Sequence, residues 1–93
     1  MTDLEIIAEL RNIKGVFEAY QVISRFMLYR HAENENVQEI SVELLDAGPT
    51  ARPGMRYHFF ARTDDGRTAT GNPDSTIEGA LDNVHWEHLD YPV

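Results

Sequence analysis

The chain has 93 residues, of which 42% are hydrophobic and 26% charged, with a formal net charge of -8 and no cysteine. This length and composition predict a single globular domain spanning residues 1–93. The lack of cysteine excludes disulfides, thiolate catalysis and cysteine-ligated zinc or iron–sulfur clusters. The acidic balance argues against direct nucleic-acid binding, because the chain would repel a phosphate backbone.

The first residues show neither the basic nor the apolar segment that directs secretion. No stretch approaches the roughly 20 consecutive apolar residues that a membrane-spanning helix needs. We therefore expect a cytoplasmic protein without a membrane partner.

The N-terminal segment is predicted to be a helix. Thr2 or Asp3 can cap its start, and Gly15 is positioned to end it. Four apolar residues then recur at helical spacing between these limits: Leu4, Ile7, Leu10 and Ile13.

Residues 16–31 fit two periods. Polar residues at intervals of four, three and four favour a second helix: Lys14, Glu18, Gln21 and Arg25. Apolar residues also fall at every second position, with lapses, which is typical of a strand: Val16, Tyr20, Val22, Phe26 and Leu28. The helix is the preferred interpretation, and the strand stays open.

Three strands are predicted after the polar turn at residues 32–36. In the first, Ile40, Val42 and Leu44 alternate with polar residues. A loop rich in Gly and Pro at 47–54 leads to the second strand, 55–63. The run Asp64-Asp65-Gly66-Arg67 predicts a type I′ turn into a short third strand at 68–70.

The C-terminal segment is predicted to be a helix that starts with a capping box formed by Ser75 and Glu78. A tail containing Trp86, Leu89, Tyr91 and Val93 should pack on the domain. The expected fold is therefore α+β: a three-stranded antiparallel meander, with helices before it and one C-terminal helix packed on it.

One face of the second strand is a candidate protein-binding surface. Alternation points four of its side chains in one direction: Arg56, His58, Phe60 and Arg62. Pairing of the first two strands around the loop would place Glu43 near His58 and Leu45 near Arg56. Phe60 and Leu45 would then be apolar anchors surrounded by arginine, as at interface hot spots. The alternatives are a solvated face with cross-strand charge pairs and a surface that stacks a nucleobase on Phe60.

The last helix carries a second candidate surface. Asp74, Glu78 and Asp82 are spaced by four residues and would align on one helix face. Such a stripe is either an ordinary solvated face or a contact for a basic or nucleic-acid-binding protein, in which it would imitate a row of phosphates. Because the arginines and the acids are segregated along the chain, one copy could also dock on another, which predicts a homodimer.

Histidines provide the competing hypothesis. His85 and His88 are three residues apart and could share a metal if they lie on a helix. A small-molecule or metal-dependent enzyme using these two residues and His58 is the alternative function. No catalytic triad, phosphate loop or metal-binding motif is present, so we predict no catalytic residues, metal or cofactor.

The segment from Tyr57 to Ala80 resembles, in its order of elements, the strand–strand–helix unit of HicB-type antitoxins and of double-stranded-RNA-binding domains. The resemblance covers about a quarter of the chain and is architectural, so no family is claimed. The basic helix start of the RNA-binding family is replaced here by Asp74 and Glu78, so its RNA-contacting role is not transferred. The predicted function is that of a small, acidic, non-enzymatic protein-binding module of the immunity, antitoxin or inhibitor kind.

Overall fold

The fold is described from a computed structural model, which covers residues 1–31 and 36–90. In chain order the elements are α1 (Asp3–Arg11), β1 (Gln21–His31), β2 (Val37–Asp46), β3 (Tyr57–Thr63), β4 (Thr68–Thr70), α2 (Ile77–Asp82) and a 3₁₀ helix (Trp86–Leu89). The strands form one antiparallel sheet in the order β1-β2-β3-β4. The α+β class and the antiparallel meander are therefore confirmed, but the sheet has four strands and not three.

The extra strand lies where a second helix was preferred. β1 pairs with β2 along its length, with Phe26 opposite Val42 and Leu28 opposite Ile40. A bulge between Val22 and Ser24 shifts the register, which explains why the alternation of apolar residues lapses there. Pairing with a strand that follows later in the chain outweighs the helical period of this segment.

The first helix is confirmed, and it begins with a capping box. The Thr2 hydroxyl accepts from the Glu5 amide, and the Glu5 carboxylate accepts from the Thr2 amide, each at 3.2 Å. The helix ends at Arg11, before Gly15 is reached. Ile7 is its buried residue.

The anchor of α1 to the rest of the chain is polar. Arg11 donates to the Glu18 carboxylate at 2.6 Å, and the amides of Ala19 and Arg52 donate to the same carboxylate at 2.9 and 3.2 Å. Burial acts to raise the pKa of Glu18, but these hydrogen bonds and the Arg11 charge outweigh it, so the pKa is lowered. Glu18 therefore remains ionised and holds the end of α1 against the loop before β3.

The hairpin between β3 and β4 forms as predicted, but its turn differs. The Gly66 amide donates to the Thr63 carbonyl at 3.1 Å, and Gly66 has φ +90°. This is a type I turn closed by a glycine bulge, not a type I′ turn centred on Asp65 and Gly66. Thr63 and Arg67 donate to the Asp65 carboxylate, and these contacts stabilise the observed turn.

The capping box predicted for α2 does not form, because the third helical residue is Gly79, which has no side chain to reach back to the cap. Thr76, not Ser75, is the N-cap, and its hydroxyl accepts from the Gly79 amide at 3.0 Å. Asp74 lies before the helix, where its backbone exchanges two hydrogen bonds of 2.9 Å with Tyr57.

The core lies on one face of the sheet, covered by α2 over β3 and by the 3₁₀ helix over β4. Its buried residues come from β2, β3, β4, α2, the 3₁₀ helix and the segment between the two helices: Ile40, Val42, Leu44, Phe59, Ala61, Ala69, Ala80, Val84 and Leu89. Trp86 packs against them, so the predicted packing of the tail holds for Trp86 and Leu89. The predicted turn at 32–36 lies outside the described residues except for Asn36, as do Tyr91 and Val93.

No helix in the described part of the chain is long and apolar enough to cross a membrane.

Candidate protein-binding surface

The face of the sheet opposite the core is uncovered by any helix of the described residues, and we call it the open face. It holds a shallow cavity of about 370 Å³ that runs across β1, β2 and β3. The cavity is lined by Arg25, Met27, Glu39, Ser41, Glu43, Phe60, Arg62, Thr63 and Asp64. Charged groups of both signs therefore surround an apolar floor made by Met27 and Phe60.

Phe60 and Arg62 lie together on the open face. The Arg62 guanidinium carbon is 5.5 Å from the centre of the Phe60 ring, which is a cation–π contact. Within the described ranges, no carboxylate lies within 4.0 Å of the Arg62 guanidinium. Arg25, on the same face, differs because it forms an ion pair with Glu43 at 2.9 Å.

The register between β2 and β3 differs from the prediction by two residues. Glu43 lies opposite Phe60, and Leu45 lies opposite His58. The cause is the loop, which is longer than the Gly and Pro content indicated, so that β3 begins at Tyr57. Leu45 is thus placed beside His58 on the open face, and not beside Arg56.

Arg56 does not join the cluster around Phe60. It precedes β3, donates to the Asp46 carboxylate at 3.1 Å and lies over the Tyr57 ring at 4.9 Å. The hydrogen bond with Asp46 raises the pKa of Arg56 above its usual value. Its charge is therefore already matched within the chain, which removes it from the predicted binding group.

The predicted acidic stripe is reduced to two residues. Asp74 precedes α2, and its carboxylate accepts from the amide and the hydroxyl of Thr76 at 3.0 and 2.9 Å. Asp74 therefore supports the start of the helix. Glu78 and Asp82 are exposed and one helical turn apart.

The three histidines of the alternative hypothesis do not form one site. His58 Nε2 lies 2.7 Å from the Thr70 hydroxyl on the open face. His85 and His88 stack with ring centres 5.3 Å apart, and His85 Nδ1 lies 3.3 Å from the Glu87 carboxylate. Among residues 1–31 and 36–90, no group of three or more potential ligands is arranged to hold a metal.

An apolar groove, which the sequence reasoning missed, lies on the core face beside β1. We call it the β1 groove. It has a volume of about 410 Å³ and is lined by Phe26, Leu28, Val42, Leu44, Phe59, Ile77, Leu81 and Trp86. The strand interpretation of residues 16–31 contained the signal, because it places Phe26 and Leu28 on one face.

No protein-family model, curated protein or solved structure matches this chain. The architectural resemblance of residues 57–80 therefore gains no support from the comparisons.

Proposed function

We propose that this protein is a small non-enzymatic binding module that acts through protein–protein contacts, as an immunity, antitoxin or inhibitor protein does. The contact surface in this proposal is the open face around Phe60 and Arg62. The observation that carries it is an exposed arginine, stacked on an aromatic ring on an uncovered sheet face, that forms no ion pair within 4.0 Å with a carboxylate of the described residues.

The surroundings of Arg62 support this proposal. The chain has 16 Asp and Glu residues, and the neighbouring Arg25 is already paired with one of them. A guanidinium that stays available in so acidic a chain can receive a carboxylate from a partner, while Phe60 and Met27 provide apolar contact. Arginine and aromatic residues together are typical of interface hot spots.

Glu78 and Asp82 remain a second predicted contact, suited to a basic or nucleic-acid-binding partner. Two exposed carboxylates on one helix face would mainly raise the association rate and sharpen specificity. The open face would bind a carboxylate of a partner, whereas this acidic pair would bind a basic group, so each surface can be tested separately.

The test is affinity capture from a lysate of the source cells, with bound proteins identified by mass spectrometry. The double variant Phe60→Ala/Arg62→Ala is compared with wild type and with Arg52→Ala, which removes the same charge from an exposed loop residue. We expect wild type and Arg52→Ala to retain the same partner, and the double variant to retain at least about tenfold less of it.

Circular dichroism of each variant establishes that the fold is intact. Capture should also weaken as salt rises, because an exposed charge pair is screened. Equal retention by all three proteins would exclude the open face as the contact surface.

A further inference from the structure

The outer edge of β1 is the largest unprotected feature of the described sheet. β1 is 11 residues long and pairs on one side only, with β2. Natural proteins protect such edges with short strands, proline, lysine or inward-facing charges, because unpaired backbone groups invite another strand. β1 contains neither proline nor lysine, and its bulge lies near its start, between Val22 and Ser24. Its one inward-facing charge, Arg30, is matched by Asp90 and Gln38 near the end of the strand.

The side chains of β1 are as exposed as its edge. Six large apolar or aromatic side chains are between 41 and 67% exposed: Val22, Ile23, Phe26, Met27, Leu28 and Tyr29. Pairing along the strand edge would cover the flanks of these side chains as well as the unpaired backbone groups, and so would remove apolar surface of both copies from water.

The charges of β1 suit a second copy of the same strand. β1 has no Asp or Glu, so self-pairing avoids the acid–acid repulsion that a net charge of -8 would cause at most other surfaces. Its arginines are matched within the chain, Arg25 by Glu43 at 2.9 Å and Arg30 by Asp90 at 2.6 Å. The strand therefore presents a nearly neutral edge to a partner.

We infer that two copies of this chain associate through antiparallel pairing of their β1 strands, giving a continuous eight-stranded sheet. Phe26 is the middle residue of β1, so pairing over the full strand places Phe26 opposite Phe26 of the second copy. The same register places Arg25 opposite Met27 and Ser24 opposite Leu28. No two arginines face each other, and the arrangement has the self-complementary two-fold symmetry of most dimers.

The inference is independent of the proposed function. Phe26 and Leu28 lie on the core face in the β1 groove, whereas Phe60 and Arg62 lie on the open face. It also replaces the predicted docking of the arginine patch on the acidic stripe, because Arg56 and Asp74 are both engaged within the chain. Pairing through β1 brings Arg25 and Met27, which line the β1 side of the open-face cavity, to the seam, but it leaves Phe60 and Arg62 on β3 accessible in both copies.

The first experiment is sedimentation equilibrium of the full chain over a wide concentration range. We compare wild type with Phe26→Arg, which would place two arginines opposite each other, and with the matched control Ile77→Arg. Ile77 lines the other wall of the β1 groove, on α2 and away from the strand edge. We expect a dimer whose dissociation constant rises at least about tenfold in Phe26→Arg and changes little in Ile77→Arg.

A second measurement needs no variant. Hydrogen exchange of the β1 amides that do not bond to β2 should slow as wild-type protein is concentrated, because those amides gain carbonyl partners in the second copy. A chain that stays monomeric throughout would overturn the inference and leave the edge to a strand from another protein. A dimer with unchanged β1 exchange, or one weakened equally by both variants, would also overturn it.

Discussion

The two edges of the sheet are built differently. β4 is three residues long, and its middle residue, Ala69, is buried. The His85 amide donates to the Thr70 carbonyl at 3.1 Å, so the segment between α2 and the 3₁₀ helix closes this side of the strand. β1, at the other edge, is 11 residues long and has no such cover in the described structure.

This contrast divides the molecule by how complete its packing is. Leu89 of the 3₁₀ helix is 0% exposed beneath the β4 side, whereas Leu28 of β1 is 41% exposed on the same face of the sheet. The C-terminal half therefore buries its own apolar residues, while the N-terminal strand leaves apolar surface exposed.

Leu89→Ala should have the largest effect on stability. Truncation of a fully buried leucine removes apolar contacts and leaves a cavity, at a cost of about 3 kcal/mol in the free energy of unfolding. Leu28→Ala makes the same chemical change on the exposed edge and should cost about 1 kcal/mol, because Leu28 is already 41% exposed and its truncation leaves no enclosed cavity. Urea unfolding at the lowest protein concentration that gives a signal measures both. Equal losses would show that the two edges are packed alike.

Gln38, on β2, forms a polar connection between β1 and the 3₁₀ helix, and its substitution tests that connection. Its side-chain amide donates to the Leu89 carbonyl at 2.6 Å and accepts from the Arg30 guanidinium at 2.6 Å. Gln38 is itself 2% exposed. Gln38→Met keeps the length of the side chain but leaves a buried carbonyl without its donor, so we expect a loss of about 2 kcal/mol.

The matched control for that change is Gln21→Met, at an exposed position near the start of β1. Its side chain donates to Asp3 at 2.8 Å in an exposed contact, and the loss should stay within about 0.5 kcal/mol. Chemical denaturation of the two variants gives the comparison directly. A Gln38→Met protein as stable as wild type would mean that the buried network does not join the halves.

Local patterns were sufficient for much of the fold. Alternation identified the strands at Ile40–Leu44 and at Phe60–Arg62, because each is half-buried and its period is visible within a few residues. The first helix was found from the Thr2 cap and from the helical spacing of the apolar residues after it, which are also local signals. These predictions need no information from distant parts of the chain.

The errors lie where distant residues decide. β1 is a strand because β2 pairs with it, and the residues 16–31 do not contain that information by themselves. Alternation placed Phe60 and Arg62 on one face of the sheet, as observed, because both lie within the strand. Arg56 was misplaced because the start of β3 depends on loop length. Asp74 was misplaced because it precedes the helix and bridges to Tyr57, a contact that its own neighbours do not reveal. The β1 groove could not be found without the strand that forms its wall.

The smallest predicted effect concerns the turn that leads into β4. Hydrogen bonds from Arg67 and Thr63 lower the pKa of Asp65 from 3.8 to about 2. A carboxylate with a lowered folded-state pKa adds stability that is fully present above its unfolded pKa and is lost as pH falls through its folded pKa. The free energy of unfolding of the wild-type protein should therefore exceed that of Asp65→Asn at neutral pH. The two values should converge as the pH falls from 3.8 to about 2.

Asp64→Asn is the control, because it removes a carboxylate from the same turn without removing the contacts to Thr63 and Arg67. Urea unfolding of the three proteins at a series of pH values gives the difference curves. The difference in the free energy of unfolding between wild type and Asp65→Asn should shrink in that window, and the difference between wild type and Asp64→Asn should stay constant. If both differences shrank equally, general acid titration and not the Asp65 contacts would explain the pH dependence. The turn would then contribute nothing specific to the stability of the β4 edge.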